Sequence, residues 1–114
     1  MSLHLSTAAE LGRGLEARQY SSVEVTRHYL DRIGEANAAL NAFVTVTEER
    51  ALDDARRADA RIARGDGGPL TGVPLAHKDI FCTSGILTSC GSRMLSNFVA
   101  PYDATVVERL SAAG

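Results

Sequence analysis

Apolar residues recur at helical intervals in the first half of the chain and lose that spacing afterwards. Leu11 and Leu15 follow Thr7 and Glu10, which have the spacing of a capping box, where each side chain bonds the other residue's backbone N–H. We therefore predict a first helix over residues 6–18, with one apolar side.

A second pair with capping-box spacing, Ser21 and Glu24, opens another stretch with a single apolar face. That face consists of Val25, Tyr29, Leu30 and Ile33. The pattern predicts a second helix that fades near Gly34 or soon after. Residues 37–41 are then interpreted as a short link, and the apolar residues within 43–46 as a brief extended stretch.

A third helix is predicted from a capping pair at Thr45 and Glu48 to Arg64. Its apolar stripe is made mostly of small residues, which allow a neighbour to approach closely: Ala51, Ala55, Ala58 and Ile62. The other faces mix both signs of charge, which favours a solvated, ion-paired surface over a nucleic-acid interface. Gly65 should end the helix, and residues 67–69 should form a turn.

The segment 73–81 is apolar apart from three consecutive polar residues, and we predict a strand there. Side chains alternate along a strand, so Ala76, Lys78 and Ile80 share one face. Asp79 lies on the opposite face, which makes it a poor partner for Lys78 despite adjacency.

Lys78 has two interpretations. A free lysine titrates near ~10.4, and desolvation between apolar neighbours lowers that value enough for proton shuttling. Alternatively, its stem packs on the strand while its head reaches water, and spacing alone favours this second interpretation. His77 has no second ligand at suitable spacing, so it is interpreted as a packed or surface histidine.

Residues 83–92 are rich in glycine, serine and threonine and are predicted to turn the chain. Ser84, Ser89 and Ser92 are conceivable nucleophiles, although none has the Gly-x-Ser-x-Gly elbow. A last helix is predicted with Asp103 as its N-cap. Its apolar face should contain Val106, Leu110 and Ala113, with Gly114 as the stop.

Composition and charge narrow the class of protein to which the chain can belong. The 114 residues carry a formal net charge of −2 with the signs interspersed, which argues against a broad nucleic-acid-binding surface. No apolar run approaches the ~18 residues that span a bilayer, no secretory signal is visible, and no Gly-x-x-x-x-Gly-Lys phosphate loop occurs. Cys82 and Cys90 are interpreted as reduced thiols of a cytoplasmic protein and not as a metal site.

The segment GVPLAHKDIF, followed by TSGILTSCGSRMLSNFVAPYDATVVERLSAAG, resembles the start of the amidase signature family. The similarity covers essentially the whole chain, and the part from Thr88 to Gly114 resembles the amidotransferase subunits of that family. The fold class implied is α/β, the N-terminal part of a mixed sheet covered by helices: three helices, a short strand region carrying Lys78, and a helix. Since one or two strands cannot support a core, residues 1–114 are expected to be an incomplete portion of one amidase domain.

The resemblance implies a Ser–cis-Ser–Lys triad in which Lys78 is the catalytic lysine. Both serines of that triad lie downstream in the family, so we assign no nucleophile among Ser84, Ser89 and Ser92, and the fragment alone is expected to be inactive. The resemblance also implies glutamine as substrate, B and C subunits as partners in a heterotrimer, and tRNA bound indirectly through the B subunit. ATP with Mg would be used at that partner, and no cofactor or metal is expected in this stretch. Two alternatives stay open: a fragment of a stand-alone amidase, or a non-catalytic helical interaction module.

Overall fold

The computed structural model describes residues 2–114. In these residues the helices are α1 (Ala8–Glu16), α2 (Ser22–Leu40), α3 (Glu48–Ala63) and α4 (Thr105–Ala112), with short 3₁₀ turns at Leu3–Leu5 and Arg93–Leu95. The chain divides into two compact units. The first unit runs to Pro74 and includes Ala113 and Gly114; the second unit is Leu75–Ala112.

Helices α1 and α2 begin where their capping boxes predicted. Thr7 Oγ1 accepts the N–H of Glu10 at 3.2 Å, and the Glu10 carboxylate accepts the N–H of Thr7 at 2.7 Å. Ser21 and Glu24 repeat the arrangement at 3.1 and 2.7 Å. Each box satisfies two N–H groups that a helix start otherwise leaves unpaired, so these local residues fix where both helices begin.

The predicted end of α2 was wrong, because the helix continues through Gly34 to Leu40. Asn37 lies inside the last turns, where its side-chain amide accepts the N–H of Phe43 at 2.8 Å and donates to the Phe43 carbonyl at 3.0 Å. Asn41 then ends the helix in a left-handed conformation, φ +50°. Since the Asn37 side chain uses both backbone groups of Phe43, the extended stretch predicted within 43–46 does not form a strand.

Helix α3 ends close to its predicted end but starts later than predicted. Thr47, not Thr45, is its N-cap, and it makes no side-chain capping bond, so the predicted capping box was wrong. The Thr47 carbonyl takes the first helical bond, from the Ala51 N–H at 2.9 Å, later in the chain than the box required. The end is as predicted, because Gly65 follows the helix with φ +80°.

The core of the first unit is formed by α1, α2 and the N-terminal turn. Its buried apolar residues are Leu3, Leu11, Leu15 and Val25, with Tyr20, Tyr29, Ile62 and Val73 packed against them. From α3, Ala55 and Ala58 are each 4% exposed, which confirms the stripe of small residues as a packing face. Full burial of a leucine contributes about 1.5–3 kcal/mol, so this cluster supplies much of the unit's stability.

A polar contact ties α3 to the start of α2. The Asp59 carboxylate accepts the backbone N–H groups of Ser22 at 2.6 Å and Val23 at 3.2 Å. The Ser22 hydroxyl donates to the carbonyl of Gly72 at 2.7 Å, and Ser22 is buried. An anion at a helix N-terminus is favoured by the unpaired N–H groups and the helix dipole, so Asp59 fixes where α2 begins relative to α3.

Residues 73–81 form no strand, so the strand predicted to carry Lys78 was wrong. A strand requires a ladder of bonds to a partner strand. Here the Phe81 N–H closes a turn on the Lys78 carbonyl at 3.1 Å, and the Cys90 N–H bonds the Asp79 carbonyl at 2.9 Å, which does not make such a ladder. The extended pairing described for residues 2–114 is a single antiparallel bridge between Leu87 and Val99. The expected mixed sheet is therefore not confirmed.

Helix α4 differs from its prediction at the start and on its buried face. It begins at Thr105, after Ala104, and the Asp103 carboxylate instead accepts the Ser84 N–H at 2.6 Å, so Asp103 is not the N-cap. The Ala104 N–H donates to the Cys82 carbonyl at 2.8 Å, and this bond fixes the position of the residue immediately before the helix. Val107 is consequently the buried residue, while Val106 is 38% exposed.

Gly114 follows the end of α4 with φ +86°, as the predicted stop requires. Cys82 is half-buried and Cys90 exposed, and both are free thiols. None of the helices within residues 2–114 has the length and apolar character required to traverse a bilayer.

Candidate functional site

Lys78 lies where a stretch without regular secondary structure passes into a turn. Its carbonyl accepts the Phe81 N–H at 3.1 Å, which closes the turn, and the residue is exposed. Within residues 2–114 its side chain has no hydrogen-bond or ion-pair partner. The apolar strand environment predicted from the sequence is therefore absent around this amine, and the structure places Lys78 on the surface of the second unit.

Lys78 is also the only lysine among the 12 lysine and arginine residues of the chain. A guanidinium stays protonated in proteins, whereas an amine can release its proton when its surroundings favour the neutral form. The other residues of this set are arginines. Lys78 therefore carries the only side-chain amine in the chain, and it is the one cation suited to proton transfer.

Asp79 does not pair with Lys78, as predicted, but bonds the loop at 89–91. Its Oδ1 accepts the Ser89 N–H at 2.9 Å, and its Oδ2 accepts the Ser89 hydroxyl. Its backbone carbonyl accepts the Cys90 N–H at 2.9 Å. Two segments separated in sequence are thus joined directly beside Lys78, and we call this set of contacts the Asp79 clamp.

The electrostatics of the Asp79 clamp favour an ionised carboxylate. The hydrogen bond from the Ser89 hydroxyl is the largest influence on the pKa of Asp79 and lowers it. Burial comes second and raises the pKa, and the backbone N–H groups of Ser89, Gly91 and Cys90 lower it further. Cys90 and Gly91 adopt left-handed conformations, φ +53° and +69°. Backbone N–H groups in such a turn favour a negative charge close to them.

The three serines considered as nucleophiles lie in different settings. Ser89 is 8% exposed and its hydroxyl is engaged by Asp79. Ser92 donates its N–H to the Ser89 carbonyl at 2.8 Å, and Ser84 donates its N–H to Asp103. In the described part of the chain none of them is hydrogen-bonded to Lys78, and the structure does not assemble a nucleophile with this lysine.

Residues 2–114 contain no group of three or more histidine, cysteine, aspartate or glutamate side chains placed to hold a metal ion. A cleft of about 190 Å³ in the first unit is lined in part by Arg18, Gly67 and Thr71. The Arg18 guanidinium there lies 3.5 Å from the last carbonyls of α3, at Ile62 and Ala63, so it caps that helix.

The Asp79 clamp was not predicted from the sequence, because the clamp depends on a contact across an irregular loop. One signal was available: an aspartate precedes, by ten residues, a Ser-Cys-Gly-Ser turn rich in N–H and O–H donors. Such a turn favours a nearby carboxylate.

Residues 24–114 match the family model described as Amidase, and the chain belongs to this family. The matched residues include Lys78 and the whole Asp79 clamp. Over nearly its full length the chain is similar to curated proteins named as the A subunit of glutamyl-tRNA(Gln) amidotransferase. The protein of Methylococcus capsulatus is 61% identical over 98% of this chain and 23% of its own length. The protein of Azoarcus sp. is 62% identical over 96% of this chain and 22% of its own length.

Solved structures also resemble the chain, at lower sequence identity. A chain from a structure described as a vestigial protein complex that reveals the evolutionary origins of an s-triazine catabolic enzyme aligns with a TM-score of 0.90 and 35% identity. An inhibitor-bound form of that complex aligns with a TM-score of 0.89. The alignment covers 96% of this chain and 24% of the solved chain, so the present chain spans about a quarter of these relatives.

Proposed function

We propose that this chain is the N-terminal part of an amide hydrolase of the amidase family, in which Lys78 transfers the proton during amide hydrolysis. The observation that carries the proposal is the position of the only lysine of the chain, in the Gly-Val-Pro-x-x-x-Lys-Asp segment inside the family match. A base of this kind contributes about 10²–10⁴-fold to a rate, provided that it is partly neutral at working pH.

The chemistry requires partners that residues 2–114 do not assemble. In the proposed Ser–cis-Ser–Lys mechanism, the neutral Lys78 amine accepts a proton through a bridging serine. The nucleophilic serine oxygen then attacks the amide carbonyl and forms a tetrahedral adduct, whose oxyanion backbone N–H groups would stabilise. The lysine returns the proton to the amide nitrogen as the C–N bond breaks, which leaves an acyl-enzyme that water hydrolyses. Because both serines belong to the downstream part of the family's sequence, we propose that the 114-residue chain has no amidase activity by itself.

We further propose that the complete protein is the glutamine-hydrolysing subunit of a tRNA-dependent amidotransferase. Identity near 61% to proteins named as the A subunit of that enzyme, against 35% to the s-triazine-related structure, supports this choice. In this assignment, ammonia released from glutamine passes to a B subunit, which amidates Glu-tRNA(Gln) with ATP and Mg, and a C subunit completes a cytoplasmic heterotrimer. A fragment of a stand-alone amidase of the same family, with a substrate other than glutamine, is the second candidate, and the match of residues 24–114 to the Amidase family model fits it equally.

The test replaces the lysine in the full-length protein assembled with its B and C subunits. Lys78→Ala should lower glutamine hydrolysis by about 10²–10⁴-fold, since the base is removed. The circular dichroism spectrum and assembly should be unchanged, because Lys78 is exposed. The matched control is Arg93→Ala, another exposed cation of the second unit, which should keep normal turnover. Normal turnover in Lys78→Ala would contradict the proposal, and hydrolysis of other amides but not glutamine would favour the stand-alone amidase.

A further inference from the structure

We infer that Asp79 is a positioning residue for Lys78: its clamp on the 89–91 loop fixes the turn from which the lysine amine projects. The inference rests on the proposed function and adds a residue to which the triad assigns no role. Two consecutive backbone carbonyls are held at this point of the chain. The Lys78 carbonyl accepts the Phe81 N–H, and the carbonyl of the next residue, Asp79, accepts the Cys90 N–H.

The partner side of the Asp79 clamp is itself anchored. Ser89 follows Thr88, whose N–H bonds the Phe98 carbonyl at 2.9 Å, beside the bridge between Leu87 and Val99. Thr88 is 3% and Ser89 8% exposed, so the clamp is attached to the least exposed part of the loop. A chain of bonded groups therefore runs from the bridge through Ser89 to the residue next to Lys78.

The chemistry of the clamp suits a fixed support. The carboxylate accepts both the N–H and the hydroxyl of the same serine, and two acceptor oxygens on two donors of one residue define an orientation as well as a distance. The lowered pKa of Asp79 shows that these donors favour its charged form. Lys78 has no such bond on its side chain within the described residues. The backbone is thus held while the amine stays available for a serine.

Displacing a reacting group by about 1 Å can cost about 10²-fold in rate, which sets the expected effect. In the full-length protein with its B and C subunits, Asp79→Ala should lower kcat for glutamine by about 10²-fold and leave KM within about 3-fold, because substrate contacts are not removed. Asp79→Asn keeps an acceptor for the Ser89 N–H and should recover about 10-fold of that loss. The kcat values are taken per active site, from burst titration of the acyl-enzyme, so that a misfolded fraction does not count.

The matched control is Asp103→Ala, since Asp103 is a carboxylate of the same unit that bonds a different loop residue, the Ser84 N–H. Hydrogen exchange should increase at residues 89–91 in Asp79→Ala and at Ser84 in Asp103→Ala, but only Asp79→Ala should lose turnover. Unchanged exchange at 89–91, or faster exchange with full turnover, would overturn the positioning role. Loss of turnover in Lys78→Ala with full turnover in Asp79→Ala would overturn only this inference, whereas full turnover in Lys78→Ala would overturn the proposed function as well.

Discussion

The two units of the chain differ in what stabilises them. The first unit encloses an apolar cluster that includes Leu11, Leu15 and Val25, each at most 3% exposed. In the second unit the buried apolar residues are Ala100 and Val107. Larger apolar side chains of that unit are exposed, among them Met94 at 91%, Tyr102 at 60% and Val99 at 56%.

The second unit uses polar bonds where the first uses apolar contacts. Its other buried residues are Thr83, Thr88 and Ser89, and two carboxylates, Asp79 and Asp103, bond its loops. Segments with few buried apolar contacts open at low free-energy cost. The comparison therefore assigns global stability to the first unit and the placement of Lys78 to the second.

The largest expected difference in stability between the two units comes from removing a core side chain. Leu15→Ala should destabilise the chain by about 2–5 kcal/mol, because Leu15 is 1% exposed and its loss leaves a cavity. Met94→Ala in the second unit and Leu5→Ala at an exposed site of the first should each change stability by no more than about 0.5 kcal/mol. Thermal unfolding followed by circular dichroism measures all three. Equal effects of Leu15→Ala and Met94→Ala would contradict the division.

Two glycines with similar dihedrals give a smaller test. Gly72 of the first unit has φ +84°, and an added Cβ would lie 3.0 Å from the Ser22 Cβ. Gly85 of the second unit has φ +76° with open space around that position. Substitution by alanine costs roughly 1–2 kcal/mol for the left-handed conformation at both sites, and about 1–3 kcal/mol more for crowding at Gly72. The same destabilisation at both sites, measured by urea unfolding, would show that packing does not distinguish them.

The smallest expected difference between the two units is in how their stability depends on pH. His4 in the N-terminal turn lies 3.0 Å from His28 of α2, and desolvation, Arg32 and His28 together lower the pKa of His4. The unfolded chain then binds the proton more readily, so the first unit loses stability as the pH falls below the ordinary histidine value of about 6.5. His4→Gln should flatten the decrease in melting temperature between pH 7 and about pH 5.5, still above the carboxylate range.

The second unit should respond at lower pH. Because the Ser89 hydroxyl lowers the pKa of Asp79, the stability from its ionised form is present above the ordinary carboxyl value, about 3.9, and is lost as the pH falls through the lower folded value. Hydrogen exchange at residues 89–91 should therefore keep its protection at pH 5, after correction for the intrinsic exchange rate, where the N-terminal turn has weakened. Loss of protection in both places over one pH range would contradict the separate assignments.

Sequence and structure agree most closely where the determinants are local. The pairs Thr7–Glu10 and Ser21–Glu24 place two helix starts, because a capping box lies within one turn. Gly65 marks the end of α3 for a similar reason, since few other residues adopt its positive φ.

The remaining features depend on contacts that spacing does not reveal. The end of α2 depends on the Asn37 side chain bonding Phe43, and the Asp79 clamp joins residues ten positions apart. The apolar run at 73–81 suggested a strand, but apolar residues form a strand only when a ladder partner is present. For the candidate site, the family segment identified Lys78, while its support by Asp79 and Ser89 required the fold.

The most direct test of the central claim is the glutaminase kinetics of Lys78→Arg in the full-length assembled protein. Arginine keeps the positive charge and much of the length of lysine but does not release its proton, so an amine acting as a base is lost while a purely ionic or structural contact is retained. We predict that Lys78→Arg is as deficient as Lys78→Ala at every pH between about 6 and 10. Turnover restored to the wild-type level by arginine would contradict the account.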